Sequence, residues 1–177
     1  MENQAIRTFN IGELAVYPGH GVGKITAIEQ REVCEETQNF YIMVILDSNI
    51  TIMIPRNNTT NVGLRALVND EQINEVYTTL KKRKVKLSHQ TWNKRYKQFH
   101  DKIKRGSLFE VAEVFRDLNL ISINKELSFG ERKMMETAKH LIISELALAR
   151  DLSETEIDKE IQEIFTINEP EAKTEQP

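Results

Sequence analysis

Proline is absent between Pro55 and Pro170, and five of the seven glycines lie within the first 63 residues. Because both residues interrupt helices, turns are concentrated early in the chain, and the later part can form long helices. The 177 residues therefore divide into two parts with different structures. We predict a β domain at residues 1–66, a helical domain at residues 67–166, and a disordered tail with few apolar residues at 167–177.

Short runs of β-forming residues fill the first part of the chain. They predict strands at residues 12–18, 22–33, 40–47, 50–55 and 62–65. The segments Gly19-His20-Gly21 and Asp47-Ser48-Asn49 supply turns between neighbouring strands. Four or five antiparallel strands in about 65 residues indicate a small SH3- or Tudor-like barrel.

Helix start signals recur in the second part. Ser-x-x-Glu capping boxes begin at Ser107, Ser128 and Ser153, and Asn69 with Gln72 is a similar start. Apolar residues at helical spacing predict helices at residues 70–81, 90–104, 108–121, 129–150 and 154–165. The sequence therefore predicts an α+β protein of two domains, with a compact all-α second domain.

Basic residues are concentrated at positions 81–105, where eleven Lys and Arg stand against one acid, Asp101. The whole chain has a net charge of −3, so this basic character is local. One interpretation is a solvated helix face, with the first bases favoured at a helix C-terminus. A helix that needs only solubility would carry more acids among its bases, so we favour binding to nucleic acid.

Trp92, the only tryptophan of the chain, lies inside this basic run. Trp92, Tyr96, Phe99 and Ile103 follow helical spacing, so Trp92 is one candidate for the first member of a buried stripe. The alternative is an apolar wedge at the start of the helix, where a side chain can project beyond the domain between flanking cations. The sequence alone leaves both interpretations open.

Several classes of function find no support in the sequence. The Gly-rich segment at 18–24 lacks the spacing of a phosphate-binding loop, because Lys24 is followed by Ile25. No spacing suggests metal ligands or a nucleophile with its base, so we expect no enzyme, no cofactor and no metal. A single cysteine, Cys34, and the lack of a secretory signal or long apolar run lead us to expect a cytoplasmic protein without membrane contact.

Several longer motifs resemble one known family. AVYPGHGVGKITAIE, FYIM, ITIMIP and VGLR are similar to the RNA-polymerase-interacting domain of the CarD/CdnL transcription regulators, which transcription-repair coupling factors share. TWNKRYKQFHDKIKRGSLFEVAEVFRDL and LSFGERKMMETAKHLIISELALA resemble the helical C-terminal domain of the same family. The resemblance covers roughly residues 8–165 and is closer to the CdnL branch.

This resemblance implies a non-enzymatic regulator that docks on the β subunit of bacterial RNA polymerase and stabilises the open promoter complex. Arg31, Met53 and Pro55 match positions that contact the polymerase in the family. Trp92 matches a wedge that enters the minor groove near the upstream edge of the −10 element. The basic residues predicted to contact DNA beside it are Lys94, Arg95, Lys97, Lys102 and Lys104.

Two other hypotheses stay open at this point. One is a stand-alone architectural DNA-binding protein that needs no polymerase. The other is a polymerase adaptor in transcription-coupled repair, which recruits another protein through its helices. We expect a monomer in each case.

Overall fold

The computed structural model describes residues 7–33, 36–83 and 92–166. A curled four-stranded antiparallel sheet precedes the helices, and its strands are neighbours in chain order. The strands are β1 Leu14–Tyr17, β2 Gly21–Val33, β3 Glu36–Ile45 and β4 Thr51–Pro55. The sheet forms a half-barrel, and the predicted α+β class with a small N-terminal β part is confirmed.

The fifth predicted strand, at residues 62–65, is wrong. A 3-10 turn at Arg56–Asn58 and a short helix α1, Thr59–Val62, follow β4 instead. Gly63 ends this helix with a φ of 76°, and from this segment Arg65 alone pairs with a strand, through Val16. A helix of four residues is too short to show a 3.6-residue period, and its apolar residues face the sheet core, so the segment resembles a strand.

The helices of the second part match the sequence prediction closely. They are α2 Asp70–Lys81, α3 Trp92–Arg105, α4 Leu108–Asn124, α5 Phe129–Arg150 and α6 Glu154–Thr166. The predicted start of α3 at residues 90 and 91 lies outside the described residues, as does the tail at 167–177.

Three of the four predicted helix starts have the full capping box. In the boxes that begin at Asn69, Ser128 and Ser153, the side chain accepts a backbone N–H and the third residue bonds back. The predicted box at Ser107 is wrong, because Ser107 makes no capping hydrogen bond at the start of α4. Glu110, its expected partner, pairs with Arg105 instead.

Most of the buried hydrophobic residues belong to one of two separate clusters. The sheet core runs along the chain from Phe9 to Leu64, and the helix core runs from Val68 to Ile164. The predicted boundary between residues 66 and 67 falls in the gap between these clusters. The boundary stays a prediction that this division supports.

Candidate functional site

Helix α3 begins at Trp92 and carries most of the residues predicted to bind DNA. Along its apolar stripe, Phe99 and Ile103 are buried in the helix core, whereas Tyr96 is 43% exposed. Burial therefore decreases toward the N-terminal end of the helix. The side chain of Trp92 lies outside the described part of the structure, so the choice between wedge and core residue stays a prediction.

Three of the predicted DNA-binding lysines on α3 are exposed. Lys94, Lys97 and Lys104 have no acidic partner within the described ranges. Lys97 and Lys104 are seven residues apart, which places them two turns apart on one face of the helix. These three charges are available to an external polyanion without the loss of an internal ion pair.

Arg95 differs from these lysines because it contacts a buried carboxylate on α5. Its Nη2 lies 3.0 Å from Oε1 of Glu131, whose side chain is 2% exposed. Lys125 and the backbone N–H of Ser128 also donate to Glu131, at 3.0 and 2.9 Å. Burial alone would raise the pKa of this carboxyl, but the hydrogen bonds from Ser128, Lys125 and Arg95 outweigh it and lower the pKa to about 2. A phosphate contact by Arg95 stays a prediction, and it would have to compete with Glu131.

Two further bases of α3 are paired with acids of α4. Lys102 Nζ lies 2.7 Å from Glu113, and Arg105 forms a bidentate salt bridge with Glu110. Both acids lie outside the basic run, so a count of charges within the run misses the pairing. The positive charge that α3 offers to solvent is therefore smaller than the sequence indicates, and the role of Lys102 in DNA binding stays a prediction.

A cleft of about 350 Å³ lies beside Tyr96, between the turn after β1 and helices α3 and α5. Lys104 and Lys133 line it, together with Gly130. Phe129, the residue before Gly130, is 77% exposed. No sequence signal marks Lys133 or Phe129 as a candidate site residue, because neither lies in the basic run and a lone Phe at a helix start matches no motif.

The three residues predicted to contact polymerase share one face of the sheet. Their β3 neighbours are spaced two residues apart, which places them on the same side of the strand. Arg31 is opposite Gln38, Pro55 is opposite Phe40, and Met53 is opposite Ile42. Met53 is 41% exposed on this outer face, and Arg31 is exposed beside Glu29, with which it forms an ion pair of 2.7 Å. The polymerase contact itself stays a prediction.

Strand β4 lies at one end of the sheet, next to β3 alone. The Ile45 N–H donates to the Ile50 carbonyl at 2.9 Å, and the antiparallel pattern alternates from there. The backbone groups of Thr51 and Met53 consequently point away from β3. Such an edge can pair with a strand from another protein. The opposite edge, at β1, is partly covered by the bridge between Val16 and Arg65.

The described residues include no helix that is long and apolar enough to cross a membrane. Over the same ranges, no three His, Cys, Asp or Glu side chains are grouped so that they could hold a metal ion.

Comparison with known proteins assigns the family. A solved structure titled "CdnLNt from Myxoccoccus xanthus" is 44% identical, covers 36% of this chain and 90% of that chain, and has a TM-score of 0.31. The sequence matches the profile of the CarD-like/TRCF RID domain at residues 9–68 and that of the CarD C-terminal domain at residues 75–162. A Bacillus subtilis (strain 168) protein named "Putative transcription factor YdeB" is 36% identical over 149 residues, which is 84% of this chain and 97% of that protein. The two matched domains and this near full-length relative show that the chain belongs to the CarD/CdnL family of transcription regulators.

Proposed function

We propose that this regulator docks on the β subunit of bacterial RNA polymerase through its sheet and stabilises the open promoter complex through α3. In this proposal Trp92 enters the minor groove at the upstream edge of the −10 element. The protein acts as a cytoplasmic monomer without catalytic activity. The observation that carries the proposal is α3 itself, whose described part begins at Trp92, the only tryptophan of the sequence, and whose exposed lysines have no acidic partner among the described residues.

The exposed lysines suit contact with the DNA backbone. Lys94, Lys97 and Lys104 can each neutralise a phosphate without breaking an ion pair to any residue that the structure describes. Phosphate contacts position a protein but do not read sequence. Promoter position must then come from polymerase docking, which also raises the local concentration of a weak DNA binder.

A tryptophan wedge can favour the open complex for a simple energetic reason. Inserting an apolar side chain beside a base step requires partial unstacking, which is less costly where the step is already distorted. Trp92 would therefore bind open promoter DNA better than closed duplex, and only such a difference in affinity can shift the equilibrium. A difference of about 1.4 kcal/mol corresponds to roughly tenfold more open complex.

The outer face of the sheet and the β4 edge support polymerase docking. Met53 and Ile42 are neighbours on this face, and Ala27 on β2 continues the same apolar row. The β4 edge beside Met53 offers backbone donors and acceptors for strand addition, and the apolar side chains next to it would provide specificity.

Stand-alone DNA binding is the main alternative, and the charges on α3 weigh against it. Arg95, Lys102 and Arg105 are paired with internal acids. Fewer available cations mean fewer released counterions and weaker binding to bare duplex. No observation in the structure favours the repair-adaptor hypothesis over the proposed one.

A Met53→Asp variant of the full chain tests the docking surface. A charge on this apolar face should weaken polymerase binding by at least about tenfold, while duplex binding stays unchanged. Ile11→Asp is the matched control, because Ile11 is also exposed but lies before β1. The docking proposal fails if Met53→Asp and Ile11→Asp bind the polymerase equally. The stand-alone hypothesis becomes preferable if the wild-type chain binds duplex DNA but not polymerase.

A further inference from the structure

We infer that Arg65, Glu145, Pro18 and Gly106 form a joint that sets the position of Trp92 relative to the sheet. The functional part of this inference rests on the proposed function, because it assigns the joint to the alignment of the DNA-contacting helix with the polymerase-docking face. The four residues are positioning residues, and none of them belongs to either contact surface.

Arg65 connects three elements at one point. Its backbone pairs with Val16 at the edge of the sheet, and its Nε donates to the Gly106 carbonyl at 2.9 Å. Its guanidinium forms a bidentate salt bridge with Glu145 of α5, with Nη2 at 2.8 Å from Oε2. The Glu145 side chain is 3% exposed and also accepts the backbone N–H of Val68 at 3.1 Å. Charge-assisted bonds of this geometry fix both distance and direction.

Pro18, in the turn after β1, packs against the end of α3. Gly106 follows the last residue of α3 and has a φ of 75°, a conformation that suits glycine. A Cβ placed on Gly106 would lie 2.7 Å from the Cβ of Pro18, so the two backbones come closer than other residues allow. A Cβ placed on Gly63 would lie 3.0 Å from Cγ of the same proline. The turn after β1, the end of α1 and the end of α3 therefore meet at Pro18.

Helix α3 connects the joint to Trp92, so the direction of this helix determines where Trp92 lies. The helix has fourteen residues, so about 20 Å separate Trp92 at its start from the joint at its end. A rotation of roughly 5° at the joint would move the start of the helix by about 2 Å over that length. The DNA minor groove is only about 6 Å wide, so a shift of this size affects insertion of a side chain.

The two cores let the joint act on alignment rather than on folding of either part. The sheet core and the helix core are separate clusters of buried side chains, and the joint lies between them. Loosening it should leave each contact surface intact but make their relative position less defined. The Arg150–Glu160 pair offers a matched control, because it joins α5 to α6 within the helical part and does not involve a residue of the sheet.

The first experiment measures the geometry directly in the full chain. Cys34 is changed to Ser, and spin labels are placed on cysteines at Gln30 of β2 and Ile123 of α4, both exposed. The distance distribution between the labels should broaden in Glu145→Gln and in Pro18→Ala but not in Glu160→Gln. Pro18→Ala leaves no buried charge unpaired, so it reports on the joint even if Glu145→Gln is poorly folded. Unchanged distributions in both joint variants would overturn the inference.

The second experiment measures the consequence with RNA polymerase and promoter DNA. We expect Pro18→Ala and Glu145→Gln to shorten the open-complex lifetime by a factor approaching that of Trp92→Ala, about tenfold. Their separate affinities for polymerase and for duplex should match those of Glu160→Gln, which a general loss of structure would not allow. Lifetimes equal to the Glu160→Gln control would overturn the role of the joint. If the wild-type chain does not lengthen the lifetime at all, the proposed function fails, and the label distances still decide whether the joint fixes the geometry.

Discussion

At the scale of single residues, Glu131 shows that a base within the basic run can pair with an internal acid and so be less available to DNA. Its sequence position predicts a helix-capping residue, and the structure confirms that part. The pairing with Arg95, 36 residues away, depends on how α3 packs against α5. No local sequence signal reports such a contact, so the sequence assigned Arg95 to the same group as Lys94 and Lys97.

The low pKa of Glu131 predicts a specific loss of stability in acid. The carboxyl has a pKa of about 2 in the folded protein against 4.5 as the reference, so its stabilisation is present above pH 4.5 and is lost as the pH falls toward 2. Glu131→Gln should lower the free energy of unfolding by about 3 kcal/mol at neutral pH. Urea unfolding at a series of pH values should show the difference from wild type narrowing below pH 4.5.

Glu126→Gln provides the control for this prediction. Glu126 is close in sequence and pairs with Arg132 at the surface, with a side chain that is 90% exposed. We expect a change of less than about 0.5 kcal/mol. A Glu131→Gln effect that stays constant with pH would mean that ionisation of Glu131 is not the cause.

The division of the α3 cations predicts unequal effects on DNA binding. Lys97→Gln should weaken binding to duplex and reduce the slope of log K against log salt by about 0.9. Lys102→Gln should change the slope less, because that charge is already paired with Glu113. Fluorescence titrations of one labelled duplex over a range of salt concentrations measure both slopes. Equal changes in the two variants would show that internal pairing does not decide which lysines reach DNA.

At the scale of secondary-structure elements, local signals predict the structure where no other contact competes with them. Helices α2 and α5 begin and end where the sequence predicts, because their capping residues and apolar spacing depend only on residues within a few turns of each other. The strand that the sequence predicts at 62–65 is wrong, since the burial of Leu64 in the sheet core depends on residues distant in the chain. The failed box at Ser107 has the same origin, because Glu110 has an alternative partner in Arg105.

This difference between capping boxes can be measured in the stability of two serine variants. Ser128 accepts the Glu131 N–H, so Ser128→Ala should lower the free energy of unfolding by about 1 kcal/mol. Ser107 makes no capping bond, so Ser107→Ala should have little effect although its sequence motif is the same. Chemical unfolding of both variants under identical conditions provides the comparison. Equal losses would contradict the assignment of the two helix starts.

At the scale of the whole molecule, the chain carries two candidate contact surfaces, one on the outer face of the sheet and one on helix α3. The basic run and Trp92 predict the DNA-contacting surface, whereas the polymerase-contacting residues follow only from the resemblance to the CarD/CdnL family. The sequence does not predict how the surfaces are joined, since Arg65 and Glu145 are 80 residues apart. The proposed function requires one surface for polymerase and one for DNA. It therefore rests on sequence motifs together with the arrangement of these surfaces in the folded chain.

In the proposed function, Trp92 stabilises the open promoter complex while the sheet binds the polymerase. The most direct test measures the lifetime of open complexes formed by RNA polymerase with saturating wild-type protein or Trp92→Ala. We expect wild type to lengthen the lifetime and Trp92→Ala to remove most of this gain, about tenfold, with unchanged affinity for polymerase. Equal lifetimes with wild type and Trp92→Ala, both bound to polymerase, would contradict this role of Trp92.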